Sequence, residues 1–104
     1  MVVNKIACVG DIMCGDSFYA MGSGVGSSIE RFGRDFLGRD LRAFLRSHDE
    51  VICNVEGCLS DLGRDERSLR SLHMRGKAKS ADYLRSWGVT IGGVCNNHIL
   101  EHGA

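Results

Sequence analysis

Three short apolar runs, separated by helical patterns, restrict the folds open to this chain. The runs are rich in β-branched residues and comprise residues 5–9, 50–55 and 89–95. Strands that are apolar at every position are typical of parallel sheets that are covered on both faces. The sequence therefore predicts three parallel strands buried inside an α/β domain.

Two amphipathic segments lie between these runs. Apolar residues from Leu37 to His48 recur on one face of a helix. A second helical pattern extends from Ala78 to Trp87, with Ser80 as a predicted cap and Gly88 at the position of a helix-ending glycine. Strands that alternate with helices imply right-handed crossovers, so the predicted fold is a βαβαβ parallel sheet with flanking helices.

Length and charge narrow the classes of function. The 104 residues suffice for one domain, 1–104. Thirteen basic side chains balance thirteen acidic ones, so the sequence lacks the excess of positive charge that is typical of nucleic-acid-binding domains. No apolar segment is long enough to span a bilayer, and Asp11 interrupts the apolar start where a secretory signal would continue. We therefore expect a cytoplasmic chain with no membrane segment and no nucleic-acid partner.

Two segments read as loops. Alternating glycines predict a mobile loop at about 21–28, although their G-x-G-x-G spacing also hints weakly at a nucleotide-binding domain, which would require G-x-G-x-x-G. A second loop, about 58–79, is rich in Arg and Lys. It is either a clamp for a polyanion, with Arg75 as a substrate-binding candidate, or a solvated surface.

The five cysteines favour buried thiols over cross-links. Their number is odd and their spacing irregular, which argues against a disulfide framework. Cys8, Cys53 and Cys95 lie within the apolar runs and are predicted to be core residues. A zinc site is the alternative, but the thiols lack paired C-x-x-C spacing.

Polar side chains occur where each apolar run ends. Asp11 follows the first run, Asn54 and Glu56 end the second, and Asn97 and His98 follow the third. Ligands of parallel α/β sheets bind at the carboxyl ends of the strands. Such oxygen donors with one imidazole suit Mn²⁺ or Mg²⁺, and further histidines would favour Zn²⁺ or Fe. Taken singly, the carboxylates also suit turns, and the Asn suits a helix cap.

Three motifs in this order resemble those of CapA-like capsule and poly-γ-glutamate synthesis proteins of bacteria. Residues 9–13 resemble their G-D-x-M opening, residues 54–59 resemble N-[LV]-E-G-x-L, and residues 94–103 resemble x-A-N-N-H-x-x-D-x-G. The resemblance covers nearly the whole chain. It implies the N-terminal part of a calcineurin-like metallophosphoesterase fold, and we expect this chain to be a fragment of that fold.

The resemblance also implies roles for individual residues. Asp11, Glu56 and Asn97 would be metal ligands of a two-ion site, and His98 would be the catalytic residue that protonates or orients the leaving group. Met13 stands where phosphoesterases have a histidine, and its thioether is a poor ligand for a hard ion. Possible supporting residues are Asn54, Asn96 and His102.

The function implied by this resemblance is capsule or poly-γ-glutamate biosynthesis through a metal-dependent phosphoesterase-type hydrolase site. The downstream histidines of the family have no counterpart here, so we expect an incomplete site with little turnover. Expected partners are an anionic polymer or phosphoester substrate and other capsule-synthesis components. The alternative is a non-catalytic scaffold that binds polymer. The resemblance also allows a membrane-associated or extracytoplasmic location, which leaves localisation open.

Overall fold

The computed structural model describes residues 1–103 and contains two parallel sheets. The larger sheet has the order β1 (Ile6–Ile12), β2 (Glu50–Val55) and β5 (Ile91–Gly93). The smaller sheet pairs β3 (Cys58–Leu59) with β4 (Arg75–Gly76). The predicted α/β class with parallel strands and intervening helices is confirmed.

Four α-helices connect the strands of residues 1–103, namely α1 (Val25–Phe32), α2 (Arg39–Arg46), α3 (Leu69–Leu72) and α4 (Ser80–Trp87). Two short 3-10 helices, Phe18–Ala20 and Gly33–Phe36, precede and follow α1. Within residues 1–103, no helix combines the length and apolar character that a bilayer crossing requires. Helix α4 ends at Gly88, which is left-handed as predicted. The predicted cap is wrong, because a turn that begins at Lys77 already includes Ser80 and leaves Lys79 at the capping position.

The core lies on one face of the larger sheet. Helices α1, α2 and α4 pack against the side chains of β2 that alternate inward. The core side chains are Cys14, Ile29, Leu45, Val51, Cys53, Val55, Leu84, Trp87 and Val89. Strand β5 and most of β1 are exposed, so burial of all three strands was a wrong expectation for residues 1–103. Cys53 is buried as predicted, whereas Cys8 and Cys95 are exposed, since neither faces these helices.

Both predicted loops contain regular structure. The basic segment 58–79 includes β3, α3 and β4. Arg75, only 4% exposed, holds this segment from inside. Its Nε donates to the carbonyl of Ser60 at 2.9 Å, and its guanidinium also contacts the carbonyl of Leu62. Hydrogen bonds from a buried guanidinium therefore help to order a segment that has no hydrophobic period.

The predicted mobile loop at 21–28 is half helical, because α1 begins at Val25. The carboxylate of Asp16 organises the turn before this helix. It accepts hydrogen bonds from the N–H of Gly22 at 2.9 Å, from the N–H of Ser27 at 3.0 Å and from the Ser27 hydroxyl. These bonds satisfy donors that otherwise lack partners at a helix start.

The same bonds set the charge state of Asp16. Burial raises the pKa of its carboxyl group, but the hydrogen bonds from Ser27, Gly22 and Gly26 outweigh burial, and the pKa lies below its usual value. A carboxylate whose pKa falls on folding stabilises the native state above its unfolded pKa. That contribution is lost as the pH falls through the folded pKa.

We predict that Asp16→Asn lowers the free energy of unfolding by about 1–3 kcal/mol at pH 6, because a buried acceptor is replaced by a group that is partly a donor. The deficit should shrink below about pH 4, where the wild-type carboxylate itself loses stabilisation. Denaturant unfolding of both proteins at pH 6 and pH 3 measures this. Asp82→Asn, at an exposed position of α4, is the control. If the loss of stability in Asp16→Asn is the same at pH 6 and pH 3, the stabilising role of the ionised Asp16 carboxylate is contradicted.

Candidate functional site

The ends of the three central strands meet at one edge of the sheet. Asp11 pairs with Asn54 across β1 and β2, and Asn54 pairs with Gly93 across β2 and β5. Asp11 lies inside β1 rather than after it, because the strand continues beyond Gly10 through a break in register. Gly10 has a φ of +78°, which is typical of such a bulge, and bulges redirect the next side chain.

One amide group links the two carboxylates. Nδ2 of Asn54 donates to Oδ1 of Asp11 at 3.0 Å and to Oε2 of Glu56 at 2.6 Å. The partial positive charge of this NH₂ group offsets part of the repulsion between two nearby anions. Asn54, predicted only as a supporting residue, is thus the centre of the cluster.

The imidazole of His98 joins the cluster from the loop after β5. Its Nε2 lies 3.6 Å from Oε1 of Glu56 and 3.1 Å from Nδ2 of Asn97. Its Nδ1 contacts Oε1 of Glu101. A carboxylate on one ring nitrogen fixes the orientation of a histidine and leaves the other nitrogen for chemistry. Glu101 was assigned no role from the sequence, although its spacing of three residues from His98 was a usable signal.

The other candidate residues have different surroundings. Nε2 of His102 contacts the carbonyl of His73 at 2.9 Å. The side-chain contacts of Arg75 lie within its own loop, so they do not support the prediction that it binds substrate. The thioether of Met13 accepts a hydrogen bond from the N–H of Gly15 at 3.1 Å. The side chain of Asn96 forms hydrogen bonds with the backbone of the loops that carry Glu56 and His98.

The cluster offers the type of donor atom that a hard cation binds, but too few donors for a complete site. Among residues 1–103, no three His, Cys, Asp or Glu side chains lie close enough to hold a metal ion together. The carboxylates of Asp11 and Glu56, with the amide oxygen of Asn97, are the kind of donors that Mn²⁺ and Mg²⁺ prefer. The arrangement therefore supplies part of a coordination sphere.

The chain that carries this cluster matches a known family. The family model described as bacterial capsule synthesis protein PGA_cap matches residues 5–104. The chain belongs to this family. The PGA_cap chain is also 29% identical over 98 residues to the capsule biosynthesis protein CapA of Bacillus anthracis. That alignment covers 92% of this chain but 22% of the relative's length. The predicted relation to CapA-like proteins is confirmed.

The backbone directly after Glu56 in this PGA_cap chain leaves no room for a side chain. Gly57 has a φ of +80°, and a Cβ atom there would overlap the carbonyl oxygen of Met74. Met74 has a φ of +50° and is the one non-glycine residue of 1–103 with a positive φ. Such strain persists where surrounding contacts enforce it, often beside functional sites. Glycine is therefore required next to Glu56 for a steric as well as a conformational reason.

We predict that Gly57→Ala destabilises the chain more than Gly10→Ala. Both glycines have nearly the same positive φ, +80° and +78°, but a Cβ atom added at Gly10 would have no other heavy atom within 4 Å. Backbone strain of about 1–2 kcal/mol is common to both variants, and overlap adds about 1–3 kcal/mol at Gly57. Denaturant unfolding measures the difference. Equal losses of stability in the two variants would show that overlap with the Met74 carbonyl has no energetic effect.

Proposed function

We propose that this PGA_cap chain supplies part of a metal-dependent phosphoesterase-type hydrolase site that acts in capsule or poly-γ-glutamate biosynthesis. The observation that carries the proposal is the continuous set of contacts from Asp11 through Asn54 to Glu56 and His98. Membership of a capsule synthesis family supports the biosynthetic context. An anionic polymer or a phosphoester is the proposed substrate, and other synthesis components are the proposed partners.

Asp11 and Glu56 would hold a divalent ion, most readily Mn²⁺, with Mg²⁺, Zn²⁺ or Fe as alternatives. The amide oxygen of Asn97 would be a third donor, since its side chain is exposed and already contacts His98. When bound, such an ion activates a water molecule and offsets developing negative charge. A two-ion site needs more donors than residues 1–103 place at this edge.

His98 would act on the proton of the leaving group. Its side chain is 26% exposed and that of Glu56 is 16% exposed, so both reach solvent at the edge of the sheet. Glu101 holds the opposite side of the ring and keeps Nε2 directed toward Glu56. A positioned imidazole of this kind contributes about 10²–10⁴-fold to rates of proton transfer.

We predict that the chain binds Mn²⁺ and that Asp11→Asn and Glu56→Gln each weaken binding at least about tenfold, because each removes a charged oxygen donor. Titration calorimetry with MnCl₂ measures the affinities. Asp82→Asn, which removes an exposed carboxylate from α4, is the matched control and should bind Mn²⁺ as the wild type does. Unchanged affinity in both site variants would contradict the metal assignment.

We predict that His98→Ala lowers Mn²⁺-dependent hydrolysis of phenyl phosphate, whose phenolate leaving group needs a proton, by about 10²-fold, through loss of the proton donor. Asp11→Ala should lower it at least as much. His48→Ala is the matched control, because that imidazole follows the last turn of α2 and contacts the carbonyl of Phe44. We expect slow turnover by the wild type, so the test is the ratio of each variant's rate to the wild-type rate. Wild-type rates in both site variants would exclude the assignment.

A second candidate function is a non-catalytic scaffold that binds polymer. One observation favours it: no three strong metal-ligating side chains converge within residues 1–103. Under this function the chain neither binds Mn²⁺ nor hydrolyses phosphoesters. Its affinity for poly-γ-glutamate in titration calorimetry would then not change when a chelator is added.

A further inference from the structure

The loops that carry Glu56 and His98 are joined beyond the last strand pair of the sheet. The ladder between β2 and β5 ends with Asn54 opposite Gly93. Glu56 is tied to the β1 side by its N–H, which donates to the carbonyl of Ile12 at 3.0 Å. On the β5 side, hydrogen bonds from a side chain replace those of the ladder.

That side chain is the amide of Asn96. Its Oδ1 accepts hydrogen bonds from the N–H of His98 at 3.0 Å and from the N–H of Gly57 at 3.3 Å. Its Nδ2 donates to the carbonyl of Val55 at 2.9 Å and to that of Gly57 at 3.3 Å, and it lies 3.4 Å from the carbonyl of Val94. Both ends of the amide are therefore used.

These contacts bracket the two residues of the proposed site. Asn96 binds the backbone on both sides of Glu56, at Val55 and Gly57, and it binds the backbone of His98 directly. The separation of 3.6 Å between Nε2 of His98 and Oε1 of Glu56 depends on where these two loops lie. A shift of either loop would separate the imidazole from the carboxylate without disturbing the core.

Only an amide meets these requirements at this length. The site needs an acceptor for two N–H groups and a donor for two carbonyl groups within one short side chain, and Asn provides both. Asp has no donor at neutral pH, and Ala has neither. The chemistry of the surrounding backbone therefore selects Asn at position 96.

We propose that Asn96 is a positioning residue that holds His98 against Glu56 by locking the loop after β2 to the loop after β5. The inference rests on the proposed function for its catalytic meaning, but the lock itself is a property of the metal-free chain. Asn96 contacts backbone groups of both loops, so its effect on the site acts through Glu56 and His98.

The test compares Asn96→Ala and Asn96→Asp with the wild type and with Asn4→Ala, a control at an exposed asparagine. Amide hydrogen exchange in the metal-free chain is the first measurement. In Asn96→Ala, exchange at Gly57 and His98 should accelerate at least about tenfold, since both N–H groups lose their acceptor, while exchange at the buried Val51 and Leu84 stays unchanged. Asn96→Asp keeps an acceptor and should preserve protection at His98.

Affinity for Mn²⁺ is the second measurement, because a purely structural role would leave it unchanged. Loss of residues that orient metal ligands costs about 10–100-fold in affinity, and we expect this range for Asn96→Ala. If exchange changes as expected but wild-type chain binds no Mn²⁺, the lock stands and the proposed function fails. Unchanged exchange at Gly57 and His98 in Asn96→Ala would overturn the positioning role. If the wild type binds Mn²⁺, an unchanged Mn²⁺ affinity in Asn96→Ala would also overturn it.

Discussion

The parallel pairing of β1 with β2 places Asp11 opposite Asn54, and the arrangement of the candidate site depends on that register. A shift of one residue would turn Asp11 to the other face of the sheet and separate it from the Asn54 amide. The register break after Cys8 and the positive φ of Gly10 supply the offset that brings the two side chains together. The backbone irregularity is thus part of the site.

Amide and backbone groups, rather than cations, hold the acidic residues of this site in place. Asn54 joins Asp11 to Glu56, and Asn96 locks the backbone around Glu56 to that of His98. Asp16 is held in the same way by the N–H groups of the turn before α1. Neutral donors of this kind fix carboxylates while leaving their negative charge available, as the proposed metal site would require.

The sequence predicted most of the fold and three residues that the structure brings to one edge of the sheet, but not the details of burial. Three parallel strands, the helix that ends at Gly88 and the gathering of Asp11, Glu56 and His98 at one edge follow from local patterns and from chain topology. Burial of Cys8 and Cys95 was predicted wrongly, because an apolar run does not reveal whether a helix covers its second face. The helical part of segment 21–28 was missed because its start depends on Asp16, several residues earlier.

The sequence by itself determined the class of fold, the family and the chemical character of the strand ends, because these depend on residue type and order. Tertiary structure alone decided which groups touch. Neither the links of Asn54 and Asn96 to residues about 40 positions away nor the contact between Gly57 and Met74 has a local sequence signal. A hydrogen bond between loops weakens when its donor–acceptor distance changes by a few tenths of an ångström. Only the packed sheet positions the loops that accurately.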